Sequence, residues 1–145
     1  MLGPDQFSMF SSQYVRHIIE SCKYAGVATI YHTCGNTMHL VAKMVEAGVD
    51  VVSLDSPDAG VDLPSVARTL SPDVMIMGNL NPTGSILKGR PQQVEAEVTD
   101  LMRRMAPYPN FILSTGCDLP QETPLENIHA FMRIGRSWCA NRSGY

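Results

Sequence analysis

Phe7, Phe10, Tyr14, Ile18 and Cys22 recur at helical spacing, which predicts a helix over 5–24 with Asp5 able to cap it and Gly26 to end it. The next run, Val27-Ala28-Thr29-Ile30-Tyr31, is short, apolar and rich in β-branched residues, and predicts a buried strand that stops at His32-Thr33-Cys34-Gly35-Asn36. Thr37 is placed to cap a helix through about Ala47, with Gly48 as its stop signal. Val49 to Leu54 reads as a second strand ending at Asp55. Pro64 marks the first turn of a short helix to about Leu70, and Val74-Met75-Ile76-Met77 a third strand ending in Gly78-Asn79. Pro91 starts a helix over 92–105, and Phe111-Ile112-Leu113-Ser114 is the fourth strand, ending in Thr115-Gly116-Cys117-Asp118. Thr123-Pro124-Leu125-Glu126 has the form of a capping box with Pro at the first helical position, so a helix runs over 124–136. The polar tail from Asn141 to Tyr145 is expected to fray.

The order is therefore one helix followed by four strand-helix units. Continuous apolar strands alternating with helices predict an α/β fold with a parallel sheet covered by helices. Two architectures satisfy this: a small doubly wound sheet, or half of an eight-stranded (β/α) barrel, which as a whole needs about 250 residues. An opening helix with no strand before it favours the partial barrel. The whole chain, 1–145, reads as one such domain.

Composition narrows the function classes. At 44% apolar residues and a net charge of −3, the chain is neither disordered nor built to bind nucleic acid. Its apolar runs fall far short of the roughly 20 residues that span a bilayer. Four Cys are too few for a disulfide scaffold, and no secretory signal opens the chain. A reduced, cytoplasmic protein is the expectation.

The chemically useful side chains gather where the strands end: His32 and Cys34, Ser53 and Asp55, Asn79 and Asn81, Cys117 and Asp118. In parallel α/β folds ligands bind at that edge, although turn chemistry also places Asn and Asp there. His32 and Cys34 are two apart in an extended segment, so they share a face, roughly 6.5–7 Å apart along the backbone. Cys117 ends a strand three units later, and in a barrel strands three apart face each other across the mouth. One His and two Cys make a zinc set with a fourth position left open. The same residues are also compatible with a buried His and two packing Cys, or with a Cys34–Cys117 disulfide, which a reducing compartment disfavours. His17, His39 and His129 fall within helices as surface or capping residues, and Cys22 and Cys139 as packing residues.

These words, taken together, resemble the uroporphyrinogen decarboxylase superfamily, and within it the methylcobamide:coenzyme M methyltransferase branch. The resemblance runs over about residues 4–135. It rests on Pro4-Asp5-Gln6-Phe7 with Phe10 and Tyr14, His32-Thr33-Cys34-Gly35-Asn36-Thr37, Gly48-Val49-Asp50 through Leu54-Asp55, Gly78-Asn79-Leu80-Asn81-Pro82, Gly116-Cys117-Asp118-Leu119-Pro120 and Thr123-Pro124-Leu125-Glu126-Asn127-Ile128. It implies the C-terminal half of a (β/α)8 TIM-type barrel, with zinc held by His32, Cys34 and Cys117. It implies methyl transfer from a methyl-corrinoid, usually carried by a separate corrinoid protein, to a thiol such as coenzyme M. Asp55 and Asn79 are the expected pocket residues, as cofactor contacts or partners of His32, with Tyr31 behind them. Asn81 stands where the family word usually has Asp. The absent N-terminal half implies either self-association or pairing with that half. Two alternatives compete: a metal-free uroporphyrinogen decarboxylase-like enzyme of porphyrin biosynthesis, and an inactive partner-binding fragment. The first would need basic residues to hold substrate carboxylates, and the strand ends carry none.

Overall fold

The computed structural model describes the backbone of residues 3–143 and the side chains of residues 3–138. Helix α1 (Pro4–Phe7) leads through a π-helical turn, Ser8–Ser12, into α2 (Gln13–Tyr24). Four strand-helix units follow. They are β1 (Ile30–Thr33) with α3 (Val41–Glu46), β2 (Val51–Leu54) with α4 (Leu63–Ala67), β3 (Met75–Leu80) with α5 (Ser85–Lys88) and α6 (Pro91–Met105), and β4 (Phe111–Thr115) with α7 (Leu125–Ser143).

All four strands are parallel and lie in chain order, β1-β2-β3-β4. A doubly wound sheet reverses its order about the first strand; this sheet does not. Because strand-helix-strand connections are right-handed, a sheet built in one direction keeps its helices on one face. The result is a sector of a TIM-type barrel: helices outside, a bare lumen face inside, and unpaired edges at β1 and β4.

The helix-side face carries the core. Val52, Leu54 and Ile76 on the strands pack with Met44, Leu63 and Met105 from the helices, all essentially without exposure. A second cluster, centred on Ile86, Val94, Val98 and Ala130, binds α6 and α7 to the end of β3. Alternation along the strands sends the other side chains inward. The register aligns Ile30 with Val51 and Met75 in one layer, and His32 with Ser53, Met77 and Ile112 in the next. Ile30, on the edge strand, is 55% exposed, whereas its neighbour Val51 in the same layer is 7% exposed.

Several boundaries differ from expectation. The first strand begins at Ile30, not Val27; Val27 is exposed, and its N–H closes the end of α2 on Cys22 O. His32 therefore lies within the strand instead of after it. The first helix is broken by the π turn, whose wider i→i+5 bonding shifts the helical phase. Phe7 and Ile19 are buried, whereas Phe10, Tyr14 and Ile18 point outward at more than half exposure. Gly3, not Asp5, is the N-cap, and its N–H donates to the Gln6 side chain. Thr37 makes no side-chain cap; its hydroxyl bonds that of Thr33. Asp62 caps α4 by accepting from Ser65 N. The Thr123 hydroxyl donates back to Pro120 O, and α7 continues to Ser143 instead of stopping at 136. The expected frayed tail is thus helical over 141–143, while residues 144–145 and the Cys139 side chain lie outside the described residues.

Candidate metal centre

β1 carries His32 inward, and the turn that leaves β1 brings Cys34 over it. Gly35 makes that turn possible: its φ of +78° lies in the left-handed region that a side chain resists. Three contacts hold the turn. Gly35 N donates to Asp55 Oδ2 at 2.6 Å, the Thr33 and Thr37 hydroxyls meet at 2.7 Å, and Asn36 Nδ2 donates to Gly60 O at 3.3 Å. From the far side of the sheet, β4 delivers Cys117. Its approach depends on Gly116, which packs against the β2 exit so closely that a Cβ there would lie 2.4 Å from Ser56 N. Gly116 N also donates to Leu80 O, and the Thr115 hydroxyl to Cys117 O.

Together these elements place Cys34 Sγ 3.4 Å from His32 Nε2 and 3.6 Å from Cys117 Sγ. All three donor atoms lie within 4.8 Å of one another. A tetrahedral zinc with Zn–S of about 2.3 Å and Zn–N of about 2.0 Å sets S···S at about 3.8 Å and N···S at about 3.5 Å. The two separations from Cys34 Sγ match these values, and the third, between His32 and Cys117, is bounded by 4.8 Å, so the donor set suits zinc. The Cys34 thiol is held above its ordinary pKa, first by its hydrogen bond with Cys117, then by desolvation, then by the negative charges of Cys117, Asp55 and Asp118. In the metal-free chain this thiol keeps its proton at neutral pH, so binding a cation must release it. Below the donors lies a cavity of about 360 Å³ walled by Ser53, Met77, Ser114 and Asp118.

The expected pocket residues sit differently from one another. Asp55 does not meet His32: its carboxylate accepts from Gly35 N and Ser56 N, both at 2.6 Å, and so braces the Cys34 turn. Asn79 is 2% exposed and spends its amide on the carbonyls of Asp55 and Val61, tying β3 to the β2 exit. Tyr31 faces the helices, stacked on Phe7 at 6.0 Å and bonded to the Ser11 hydroxyl. Asn81 donates to Asp58 Oδ2 at 2.5 Å, where a carboxylate would be repelled. That pair lines a larger cavity, about 580 Å³, between the β3 exit and α6, away from the donors. His17, His39 and His129 are exposed on helices or turns, as expected. The partner of His32 that sequence reasoning did not assign is Ser53, whose Oγ lies 3.1 Å from Nδ1. The signal was its place opposite His32 in the register, visible only once the strands are paired.

A model of the uroporphyrinogen decarboxylase (URO-D) family matches residues 1–138. Curated relatives include the methylcobamide:CoM methyltransferase MtbA of Methanosarcina mazei, 27% identical over 95% of this chain. Uroporphyrinogen decarboxylases of a Synechococcus species and of Nicotiana tabacum, the latter chloroplastic, are 30% and 31% identical over 94% and 93% of it. The chain spans 38%, 37% and 33% of the lengths of these three relatives. Among solved structures, a methyltransferase from Methanosarcina mazei superposes with a TM-score of 0.79 at 20% identity, over 95% of this chain and 38% of the other.

Proposed function

The chain belongs to the uroporphyrinogen decarboxylase family, and from that premise we propose that it is the zinc-binding portion of a methyltransferase that moves a methyl group from a methyl-corrinoid to a thiol such as coenzyme M. The observation that carries this reading is the convergence of His32, Cys34 and Cys117, with Cys34 Sγ 3.4 Å from His32 Nε2 and 3.6 Å from Cys117 Sγ. The methylcobamide:CoM methyltransferase relative supports the same reaction class.

The chain's own groups account for the division of labour. His32 is the neutral donor, and Cys34 and Cys117 as thiolates balance the charge of a divalent ion. When bound, zinc supplies one chemistry: it holds an acceptor thiol in its deprotonated, nucleophilic form. His32, Cys34 and Cys117 would hold the ion, and with three protein donors it would keep room for that acceptor. Asp55 keeps Cys34 in place through Gly35, and Asn79 fixes the backbone on which Asp55 sits. Ser53, Met77 and Ser114 form the floor against which an acceptor is oriented. Orientation is the main task of the protein in such a displacement.

The lumen face, bare on one side, is completed in this proposal by further strands, either from the rest of a longer protein or from a second copy. The corrinoid is brought by a separate corrinoid protein, in a reducing cytoplasmic setting that keeps both thiols free. Among the described residues, no helix is long and apolar enough to cross a membrane. The test is zinc per chain, by elemental analysis of protein purified without chelators, followed by methylcobalamin-dependent methylation of coenzyme M. One zinc per chain is the expected result. A chain that holds no zinc and takes none up on addition overturns the reading and favours the metal-free decarboxylase chemistry of the relatives at 30% and 31% identity.

A further inference from the structure

We infer that Ser53 is a positioning residue of the metal centre: its hydroxyl holds the proton of His32 on Nδ1, so that Nε2 is presented unprotonated to a divalent cation. The inference rests on the zinc reading above and adds to it a residue outside the donor set.

The argument starts from register. His32 and Ser53 are direct neighbours across the β1–β2 ladder, and both point into the lumen. Ser53 is buried, 7% exposed, while His32 reaches outward from the same layer. The ring is thus gripped at its inner nitrogen, Nδ1, 3.1 Å from Ser53 Oγ, while its outer nitrogen, Nε2, faces the Cys34 thiol at 3.4 Å. A neutral imidazole carries one proton and one lone pair, and whichever nitrogen donates leaves the other to bind a cation. Donation from Nδ1 to Ser53 Oγ gives Nε2 the lone pair. It also fixes the ring plane, since the ring cannot rotate about its stem without breaking that bond. Among the described residues, the ring's side-chain hydrogen bonds are those to Ser53 and Cys34, and Met77, Ser114 and Thr115 complete the cavity wall. Partners of this kind change metal affinity by about 10–100-fold when removed.

The experiment uses the 145-residue chain and two substitutions. Zn²⁺ affinity is measured by competition with a chromophoric chelator, and site geometry by the visible spectrum of the Co²⁺-loaded chain. The ring tautomer of His32 in the metal-free chain is read by long-range ¹H–¹⁵N NMR. We expect Ser53→Ala to weaken Zn²⁺ binding about 10–100-fold and to alter the Co²⁺ spectrum, while thermal unfolding of the metal-free chain stays unchanged. Ser53→Thr, which keeps the hydroxyl, restores most of the affinity. A wild-type ring protonated on Nε2 overturns the inference even if Ser53→Ala fails to fold. So does Ser53→Ala with wild-type affinity and spectrum. A wild-type chain that binds neither Zn²⁺ nor Co²⁺ fails earlier and overturns the metal reading itself.

Discussion

Cys117 comes to the centre from the opposite edge of the sheet, so its loss opens the site without emptying the core. It is only partly buried, and its thiol contacts Cys34 rather than the core. Cys117→Ala is expected to abolish stoichiometric zinc binding while far-UV circular dichroism stays the same; a mutant that retains full zinc refutes the ligand assignment. Its neighbour behaves oppositely. Gly116 has no room for a methyl group, because the atoms it would meet, Ser56 N and the Asp55 carbonyl carbon, are backbone and cannot swing aside. Gly116→Ala therefore forces β4 away from the β2 exit. Overpacking of this kind destabilises by about 1–3 kcal/mol, and here it also moves Cys117. The expected outcome is a lower Tm together with weakened zinc binding, measured by thermal denaturation and chelator competition.

Between elements, the short strands are tied at their lower ends by charge as well as by the ladder. Asp50, just before β2, accepts from both the N–H and the hydroxyl of Thr29, just before β1, at 2.7 and 2.8 Å. These bonds, from the backbone first and the side chain second, hold its carboxyl below the ordinary value of 3.8. Asp62, which caps α4 and pairs with Arg104 on α6, is lowered as well, mainly by the Ser65 hydroxyl. A carboxyl whose folded pKa is depressed stabilises the fold fully above its unfolded pKa and loses that contribution as pH falls through the folded value. The fold should thus weaken below about pH 4, where unfolded Asp begins to take up protons. The Tm difference between wild type and Asp50→Asn is expected at neutral pH and should shrink towards about pH 3; a constant difference would show that the charge of Asp50 plays no part.

At the scale of the molecule, the main fact is an unfinished barrel. Four parallel strands leave unpaired edges at β1 and β4, and the layer formed by Ile30, Val51 and Met75 faces inward with only this sector's strands around it. Exposed strand edges and apolar faces recruit partners. If the 145-residue chain supplies its own partner, it sediments as a dimer at micromolar concentration, and Met75→Glu returns it to a monomer without loss of helical content. A clean wild-type monomer would rule out the second copy. For the reaction proposed above, closing the lumen would also enclose His32, Cys34 and Cys117 and keep water from a reactive thiolate.

Much of this was written in the chain itself. Apolar runs, Gly stops and Pro starts marked four strand-helix units, because burial on both faces demands continuous apolar strands. His32, Cys34 and Cys117 stood out as one His and two Cys at strand ends, a set that spacing alone left open to packing or a disulfide and that the family resemblance singled out as zinc ligands. Local patterns did not reveal the π turn that rotates Phe10, Tyr14 and Ile18 outward, because a one-residue change of helical phase leaves the spacing of apolar residues intact. The repeating unit itself is common to a doubly wound sheet and a barrel; the opening helix and the family resemblance pointed to the partial barrel, and the strand order β1-β2-β3-β4 bears that out. Pairing decided the contacts. It set Ser53 rather than Asp55 against His32, turned Asp55 to the Gly35 N–H, and closed the distance between Cys34 and Cys117 to 3.6 Å. Residue types and their order are properties of the chain; which side chains touch follows from strand register, which long-range packing alone decides.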